Sequence, residues 1–362
     1  MAAPVVIEAP DGLVRVDPAS PGLGRRRCGR GFRYLDIDGE RITDPLEIAR
    51  IKALVIPPAW QDVWICPQPD GHIQAVGVDA AGRRQYRYHD DWRVARDRVK
   101  YDRVLDLGRG MPDVRAAVVD RLTTAGLTQD RVLAAGVRML DLGVFRPGGE
   151  EYAPGDDDED GTFGLATLRR EHVTLKRGAV LFSYPAKGGI ARTLAIRDPL
   201  VHKVVNALLR RRGGGEDLLA YRTGRNGSGP RWHDVRAEDL NAAVKELAGD
   251  RFTCKDLRTW NATVLAAVTL AAEVARGGVP TAERTRKRVA NRAIKQVAAH
   301  LGNTPTVARA SYVDPRVLDR FAEGRTVLAA LRRLDAADGG PDLTDDATRA
   351  ALDRAVVRLL KS

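Results

Sequence analysis

Five polar residues stand in four short motifs that could carry chemistry. Arg146 lies in Phe-Arg-Pro-Gly at the end of a helical stretch, and Lys187 lies in Ala-Lys-Gly-Gly at a predicted hairpin tip. Arg258 lies in Lys-Asp-Leu-Arg-Thr-Trp, which opens a long predicted helix. Asn303 lies in Leu-Gly-Asn-Thr-Pro, nine residues before Tyr312. Planar, permanently charged guanidinium groups suit phosphate oxygens, so this set favours chemistry on a phosphate ester.

No cofactor pattern accompanies these motifs. The Gly-rich stretch 224–229 lacks the Gly-Lys-Ser/Thr ending of a phosphate-binding loop and is interpreted as a turn. The six His residues show no zinc-binding spacing, and 36–40 lacks the ligand series of a calcium loop. We therefore expect no metal, nucleotide or flavin, and a reaction that side chains perform unaided.

The charge of the chain predicts a polyanionic partner. The net charge is +11 and the isoelectric point is about 9.8. Between Arg251 and Arg316, twelve Lys or Arg stand against four Asp or Glu, so most of the excess lies in one segment. Such a segment usually neutralises the phosphates of nucleic acid, although a solvated helix face at 284–295 is the alternative.

The cysteines and the first residues indicate the compartment. Cys28, Cys66 and Cys254 are odd in number and far apart, which argues against a disulfide framework and favours a reducing cytoplasm. The N-terminal residues lack the basic start and apolar core of a signal peptide, and no apolar run is long enough to span a bilayer. We expect a cytoplasmic, nucleoid-associated protein.

The hydrophobic periods predict an α+β protein with a small β-rich N-terminal domain and a larger, mainly helical catalytic domain that contains a short antiparallel sheet. The N-terminal strands form a meander of 62–65, 72–78 and 85–88, with one helix at 45–54. A hairpin region covers 172–196, and the predicted helices cover 112–123, 128–140, 199–211, 237–247, 255–275, 281–300, 315–334 and 344–360. The predicted domains are residues 1–93, a linker 94–105, a catalytic domain 106–335 and a C-terminal linker and helix 336–362.

The four motifs together resemble the active site of type IB DNA topoisomerases of the compact, poxvirus-like and bacterial kind. In that family a Tyr nucleophile works with two Arg, a Lys and, usually, a His in the Leu-Gly-His-Thr-Pro position. Further stretches are similar to the family's small N-terminal domain and to the run before its catalytic hairpin; they are 56–60, 62–65, 71–75, 82–89 and 164–168. The resemblance covers roughly residues 31 to 315.

The resemblance implies five catalytic residues, which are Tyr312, Arg146, Lys187, Arg258 and Asn303. Tyr312 would form a covalent 3′-phosphotyrosyl link, the two arginines would stabilise the non-bridging oxygens, and Lys187 would protonate the leaving 5′ oxygen. Supercoils would relax by strand rotation without ATP or metal, in a monomer whose domains form a C-shaped clamp around duplex DNA. Asn303 departs from the family pattern, because an amide can donate a hydrogen bond but cannot become cationic.

Two other interpretations compete with this one. Tyrosine recombinases share the Arg, Lys and Tyr chemistry, but they typically carry a His-x-x-Arg box, where this chain has Lys255-Asp256-Leu257-Arg258, and a helical N-terminal domain. A non-catalytic DNA-binding protein would retain the clamp and lack activity. The β-rich N-terminal pattern and the intact motifs favour the topoisomerase over both.

Overall fold

The computed structural model describes residues 9–143, 145–149, 162–186, 190–224, 231–335 and 344–362. The chain divides into two compact units, of which the first ends at Asp102 and the second begins at Arg103. The α+β prediction is confirmed, because an antiparallel sheet comes first and a mainly helical part with small sheets follows. No helix in the described ranges is both long and apolar enough to cross a membrane.

The first unit is built on a five-stranded antiparallel sheet with the strand order β2-β1-β3-β4-β5. Its elements are β1 (Leu23–Cys28), β2 (Gly31–Leu35), α1 (Pro45–Ala53), β3 (Gln61–Ile65), β4 (Ile73–Val78) and β5 (Arg84–Tyr88). The predicted meander is thus confirmed. The strand β1 was not predicted, because its Arg-rich sequence has no apolar alternation and buries only Leu23. Leu23, Ile51, Ile65 and Ala75 form the small core of this unit.

The helix α2 (Asp90–Thr123) contains the residues predicted as a linker, 94–105. Its predicted start at Pro112 was wrong, since Pro112 lies inside the helix. Apolar side chains at helical spacing, including Tyr101, Val104 and Met111, are buried along this helix. Their burial outweighs the backbone hydrogen bond that the proline removes.

The second unit packs its helices around one large apolar core. Its remaining helices are α3 (Gln129–Gly143), α4 (Pro199–Arg210), α5 (Ala237–Ala248), α6 (Cys254–Gly277), α7 (Glu283–Leu301), α8 (Pro305–Ser311), α9 (Pro315–Ala322), α10 (Leu328–Asp335) and α11 (Asp346–Lys361). The single helix predicted over 315–334 was wrong, because Gly324 adopts a positive φ of 80° and separates α9 from α10.

Two small sheets complete the second unit. Antiparallel strands β6 (Val173–Lys176), β7 (Ala179–Ala186) and β8 (Ile190–Ile196) form the predicted hairpin region. A second pair, β9 (Ala220–Thr223) and β10 (Arg231–Asp234), was not predicted, because each strand has only four residues. Most of the predicted turn 224–229 lies outside the described residues, as does the interval between β7 and β8.

Buried ion pairs fasten the C-terminal helix α11 to this core. Arg115 on α2 contacts Asp141 on α3 at 2.9 Å and Asp353 on α11 at 2.5 Å. Arg349 of α11 donates to Asp141 at 2.6 Å, and Trp260 donates its indole N–H to Asp353 at 2.8 Å. Because these polar groups are buried and matched in charge, α11 is an integral part of the second unit.

Candidate active site

Arg146 is placed by the segment that follows α3. The ring of Phe145 is buried and packs edge-on against Phe182 of β7, with the centroids 5.0 Å apart. The carbonyl oxygen of Arg146 accepts a hydrogen bond from Leu165 N at 2.9 Å. Gly148 and Gly164 touch at the backbone, and a Cβ on Gly164 would lie 2.3 Å from the Cα of Gly148. The glycine of the Phe-Arg-Pro-Gly motif is therefore required by a close backbone approach.

Arg258 is placed by the first turns of α6, where it is buried. Thr253 caps this helix, and the Asp256 carboxylate accepts from the Thr253 N–H at 3.1 Å and from its hydroxyl at 2.8 Å. Asp256 also pairs with Arg103 at 2.7 Å. The Asp of the Lys-Asp-Leu-Arg motif thus stabilises the helix start, and the Arg faces the site.

Tyr312 lies at the C-terminal end of α8 and is half-buried. The main chain that follows it is anchored on α6, because the hydroxyl of Thr263 accepts from Asp314 N at 3.1 Å and lies 3.4 Å from Tyr312 O. The Arg258 Cζ lies 5.2 Å from the centre of the Tyr312 ring, and the two side chains are hydrogen-bonded. The predicted nucleophile and one predicted arginine are therefore direct neighbours.

Asn303 follows the left-handed cap that ends α7. Gly302 has a φ of 62°, and Asn303 N donates to Ala298 O at 2.9 Å, the pattern of a Schellman motif. The Asn303 Oδ1 accepts a hydrogen bond from Arg146 Nη2. The Asn303 Nδ2 is buried and has no hydrogen-bond partner among the described residues. Asn303 is thus anchored through its oxygen, and its NH₂ group is available as a donor.

The main-chain carbonyls at the end of α7 collect three guanidinium groups. Arg258 donates to Leu301 O, and Arg146 donates to Gly302 O at 3.4 Å. Arg192 of β8 donates to Leu301 O at 2.7 Å and to His300 O at 2.9 Å. The C-terminal end of a helix carries a partial negative charge, which favours cations there.

The pKa shifts of these arginines reflect how close the cations lie to one another. Burial lowers the pKa of Arg258, Arg146 and Arg192 lower it further, and Tyr312 raises it. Burial likewise lowers the pKa of Arg192, with Tyr184 raising it and Arg146 lowering it. A guanidinium group still stays charged at neutral pH. The result is a concentrated positive field beside the Tyr312 ring, which suits an anion such as a phosphate diester.

Sequence reasoning missed two members of this cluster, Tyr184 and Arg192. They are cross-strand partners in β7 and β8. Burial raises the pKa of Tyr184, and the nearby Arg192, Arg258 and Arg146 lower it. Neither residue belongs to a recognisable motif, and only their positions three before and five after Lys187 on the predicted hairpin could have drawn attention to them.

The structure brings together four of the five predicted site residues, namely Arg146, Arg258, Asn303 and Tyr312. Lys187 lies outside the described residues. No cluster of three or more His, Cys, Asp or Glu suited to a metal ion occurs within the described ranges. Desolvation lowers the pKa of the neighbouring His300, and Arg192 and Arg258 lower it further, although the residue is exposed overall.

Comparisons with known proteins show which family the chain resembles. The sequence profile of the bacterial DNA topoisomerase IB N-terminal domain matches residues 31–79, and that of the eukaryotic DNA topoisomerase I catalytic core matches residues 89–327. The DNA topoisomerase 1B of Acanthamoeba polyphaga mimivirus is 29% identical over 300 residues, which cover 83% of this chain and 87% of the relative.

Other relatives differ in the share of their own length that this chain matches. The DNA topoisomerase 1 of Rabbit fibroma virus (strain Kasza) is 22% identical over 319 residues, or 84% of this chain and 93% of the relative. The DNA topoisomerase 1 of Daucus carota is 28% identical over 169 residues, or 46% of this chain and 19% of the relative. The similarity to the viral proteins therefore extends over nearly their whole length, whereas the plant protein is matched over a small part.

Proposed function

The chain belongs to the type IB DNA topoisomerase family, and from this premise we propose that it relaxes supercoiled duplex DNA through a transient covalent link to Tyr312. The observation that carries this proposal is the contact of the Arg258 guanidinium with the Tyr312 side chain, next to the hydrogen-bonded Arg146 and Asn303. A nucleophile beside convergent cationic donors is what transfer of a phosphate diester requires.

In the proposed reaction, the Tyr312 hydroxyl loses its proton to solvent and its oxygen forms a bond to the scissile phosphorus while the bond to the 5′ oxygen breaks. Arg146 and Arg258 stabilise the negative charge that develops on the non-bridging oxygens, and the amide of Asn303 donates to one of them. Lys187 gives the leaving 5′ oxygen its proton. The 3′-phosphotyrosyl link keeps one ester in place of another, so the 5′ hydroxyl reseals the strand without ATP.

The substrate we propose is duplex DNA, held by a monomer. The segment from Arg251 to Arg316, with twelve basic and four acidic residues, supports this partner. Exposed basic residues on one helix, α7, contribute to that balance, among them Arg284, Lys287 and Arg288. No step assigned to the side chains above needs a bound metal ion.

The test is relaxation of supercoiled plasmid in EDTA and without ATP. We expect the native chain to relax the plasmid and Tyr312→Phe to bind DNA without relaxing it. Tyr221→Phe is a matched control, because Tyr221 is also half-buried and its ring stacks on His233 of the paired strand β10. It should keep full activity.

Trapping with denaturant should leave the protein on the 3′ end of the nick. Full activity in Tyr312→Phe, attachment to a 5′ end or an absolute need for Mg²⁺ would contradict the proposal. A native chain that binds plasmid and never nicks it would favour the non-catalytic alternative.

A further inference from the structure

Arg192 connects two segments that end in predicted catalytic residues. It donates to Gly143 O at 3.2 Å, at the end of α3, and to His300 O and Leu301 O at 2.9 and 2.7 Å, at the end of α7. Three residues after Gly143 comes Arg146, and two residues after Leu301 comes Asn303. One guanidinium group therefore fixes the spacing of two backbones whose side chains meet in the Arg146–Asn303 hydrogen bond.

The fit between Arg192 and the α7 turn is tight. A Cβ added to Gly302 would lie 2.6 Å from the Arg192 Nη1, so the guanidinium packs directly on the left-handed residue of the turn. An Arg has five N–H donors in a planar fork, and here it reaches carbonyl oxygens of two helix ends at once. A lysine has one nitrogen and lacks the two Nη groups from which Arg192 reaches these three acceptors.

The partners of Arg192 also preserve the charge of the site. Its three hydrogen bonds end on backbone carbonyls, which carry only partial negative charge at helix C-termini. A carboxylate in their place would cancel a positive charge close to Arg146 and Arg258. The Arg192 charge thus adds to the field of the site while its hydrogen bonds set the geometry.

We propose that Arg192 is a positioning residue of the cleavage reaction, which joins the ends of α3 and α7 so that Arg146 and Asn303 reach the same phosphate. The inference rests on the proposed function and adds a residue that the reaction scheme does not use. Because displacement of a catalytic group by about 1 Å costs on the order of 100-fold in rate, the predicted effect is kinetic.

The test measures single-turnover cleavage of a duplex oligonucleotide, separately from DNA affinity. We expect Arg192→Gln to cleave about 10- to 100-fold more slowly with nearly unchanged affinity, since the chemical step depends on alignment. Arg192→Lys keeps the charge and part of the hydrogen bonding, and should recover part of the rate. It also keeps the test decisive if the Gln variant folds poorly.

A matched control exists at the other end of α3. Arg131 donates to Leu122 O at 3.0 Å and to Gly126 O at 2.8 Å, so Arg131→Gln removes the same kind of bond. It lies about 18 Å along the helix axis from Gly143, at 1.5 Å per residue. We expect Arg131→Gln to lower the unfolding temperature and leave the cleavage rate of the folded protein unchanged.

A double variant separates positioning from general destabilisation. If Arg192 acts through Asn303, the double variant Arg192→Gln/Asn303→Ala should lose less cleavage rate than the product of the two single fold-decreases. Multiplying effects, or a native cleavage rate in folded Arg192→Gln, would overturn the inference while the proposed function stands. A native chain that never cleaves DNA would instead contradict the proposed function itself.

Discussion

Replacement of Asn303 tests how an amide serves where the family usually has a His. Its Oδ1 accepts from Arg146 Nη2, which identifies the other amide atom as the NH₂ group. That nitrogen is buried without a partner among the described residues. A buried, unmatched donor costs roughly 1–3 kcal/mol, which supports the proposal that the NH₂ group serves an acceptor on the bound DNA.

The expected cost of Asn303→Ala follows from these contacts. Removal of one preorganised donor to a developing oxyanion typically slows a reaction by about 10²- to 10³-fold. We expect Asn303→Ala to slow cleavage about 100-fold, at the lower end of this range, because neighbouring guanidinium groups still stabilise the phosphate. Arg258→Ala should be slower still, since it removes a full charge beside Tyr312. The unfolding temperature of Asn303→Ala should change little, because the variant loses an unmatched donor together with the bond to Arg146.

The assay is rapid-quench cleavage of a duplex oligonucleotide with Asn303→Asp and Asn303→His beside the Ala variant. Asp keeps an acceptor for Arg146 but offers no donor and adds negative charge, so it should be slower than Ala. His should be active at low pH and lose rate as the pH rises through its pKa. Arg146 and Arg258 should hold that pKa below the usual value of about 6.5, because nearby cations disfavour the imidazolium.

The competing candidate for this role is His300, which lies in the last turn of α7. Only its main-chain oxygen is bonded to Arg192, so we expect His300→Ala to be mild. A native cleavage rate in Asn303→Ala, together with a collapse of the rate in His300→Ala, would refute the reasoning and move the role to His300.

Two further predictions concern proton transfer and stability. Lys187→Ala should regain much of its cleavage rate when sulfur replaces the bridging 5′ oxygen, because a better leaving group needs no acid. Arg258→Ala should gain less from the same substitution, because it lacks charge stabilisation. Equal rescue of both variants would show that the roles are misassigned. Arg115→Met should cost about 3–5 kcal/mol in urea unfolding, since it leaves the buried Asp353 carboxylate with the neutral Trp260 N–H as its partner, whereas Asp141 keeps Arg349. Burial already raises the pKa of Asp353 against the opposing effect of Arg115, so protonation should relieve the variant, and its deficit should shrink as the pH falls through that raised pKa. A deficit independent of pH would contradict this account.

Much of the fold was predictable because local signals agree with tertiary contacts. The helix predicted over 255–275 corresponds to α6, and Thr304 before Pro305 is a capping signal after which α8 begins. The β3–β5 meander follows its turn residues. The continuous α2 and the break at Gly324 were missed, because burial of Tyr101 and Met111 and a left-handed glycine decide them rather than local propensity.

The candidate site also contains residues that the sequence predicts and others that it does not. Arg146, Arg258, Asn303 and Tyr312 were identified from motifs, and the structure brings them together. Arg192 was not, because the role we propose for it depends on the register of β8 and on where α3 and α7 end. No spacing in the sequence records that relation, and in a chain so rich in arginine one more arginine carries little information.

The surroundings of an arginine are therefore more informative in this protein than its presence. Arg115 and Arg138 are buried against carboxylates, where their charge is neutralised and fastens helices together. Arg131 and Arg211 bind backbone carbonyls, but each does so in a separate place. At the end of α7 three guanidinium groups converge on carbonyl oxygens, an amide oxygen and a phenol. Partial charges hold these cations together without neutralising them, which leaves their attraction for a phosphate in place.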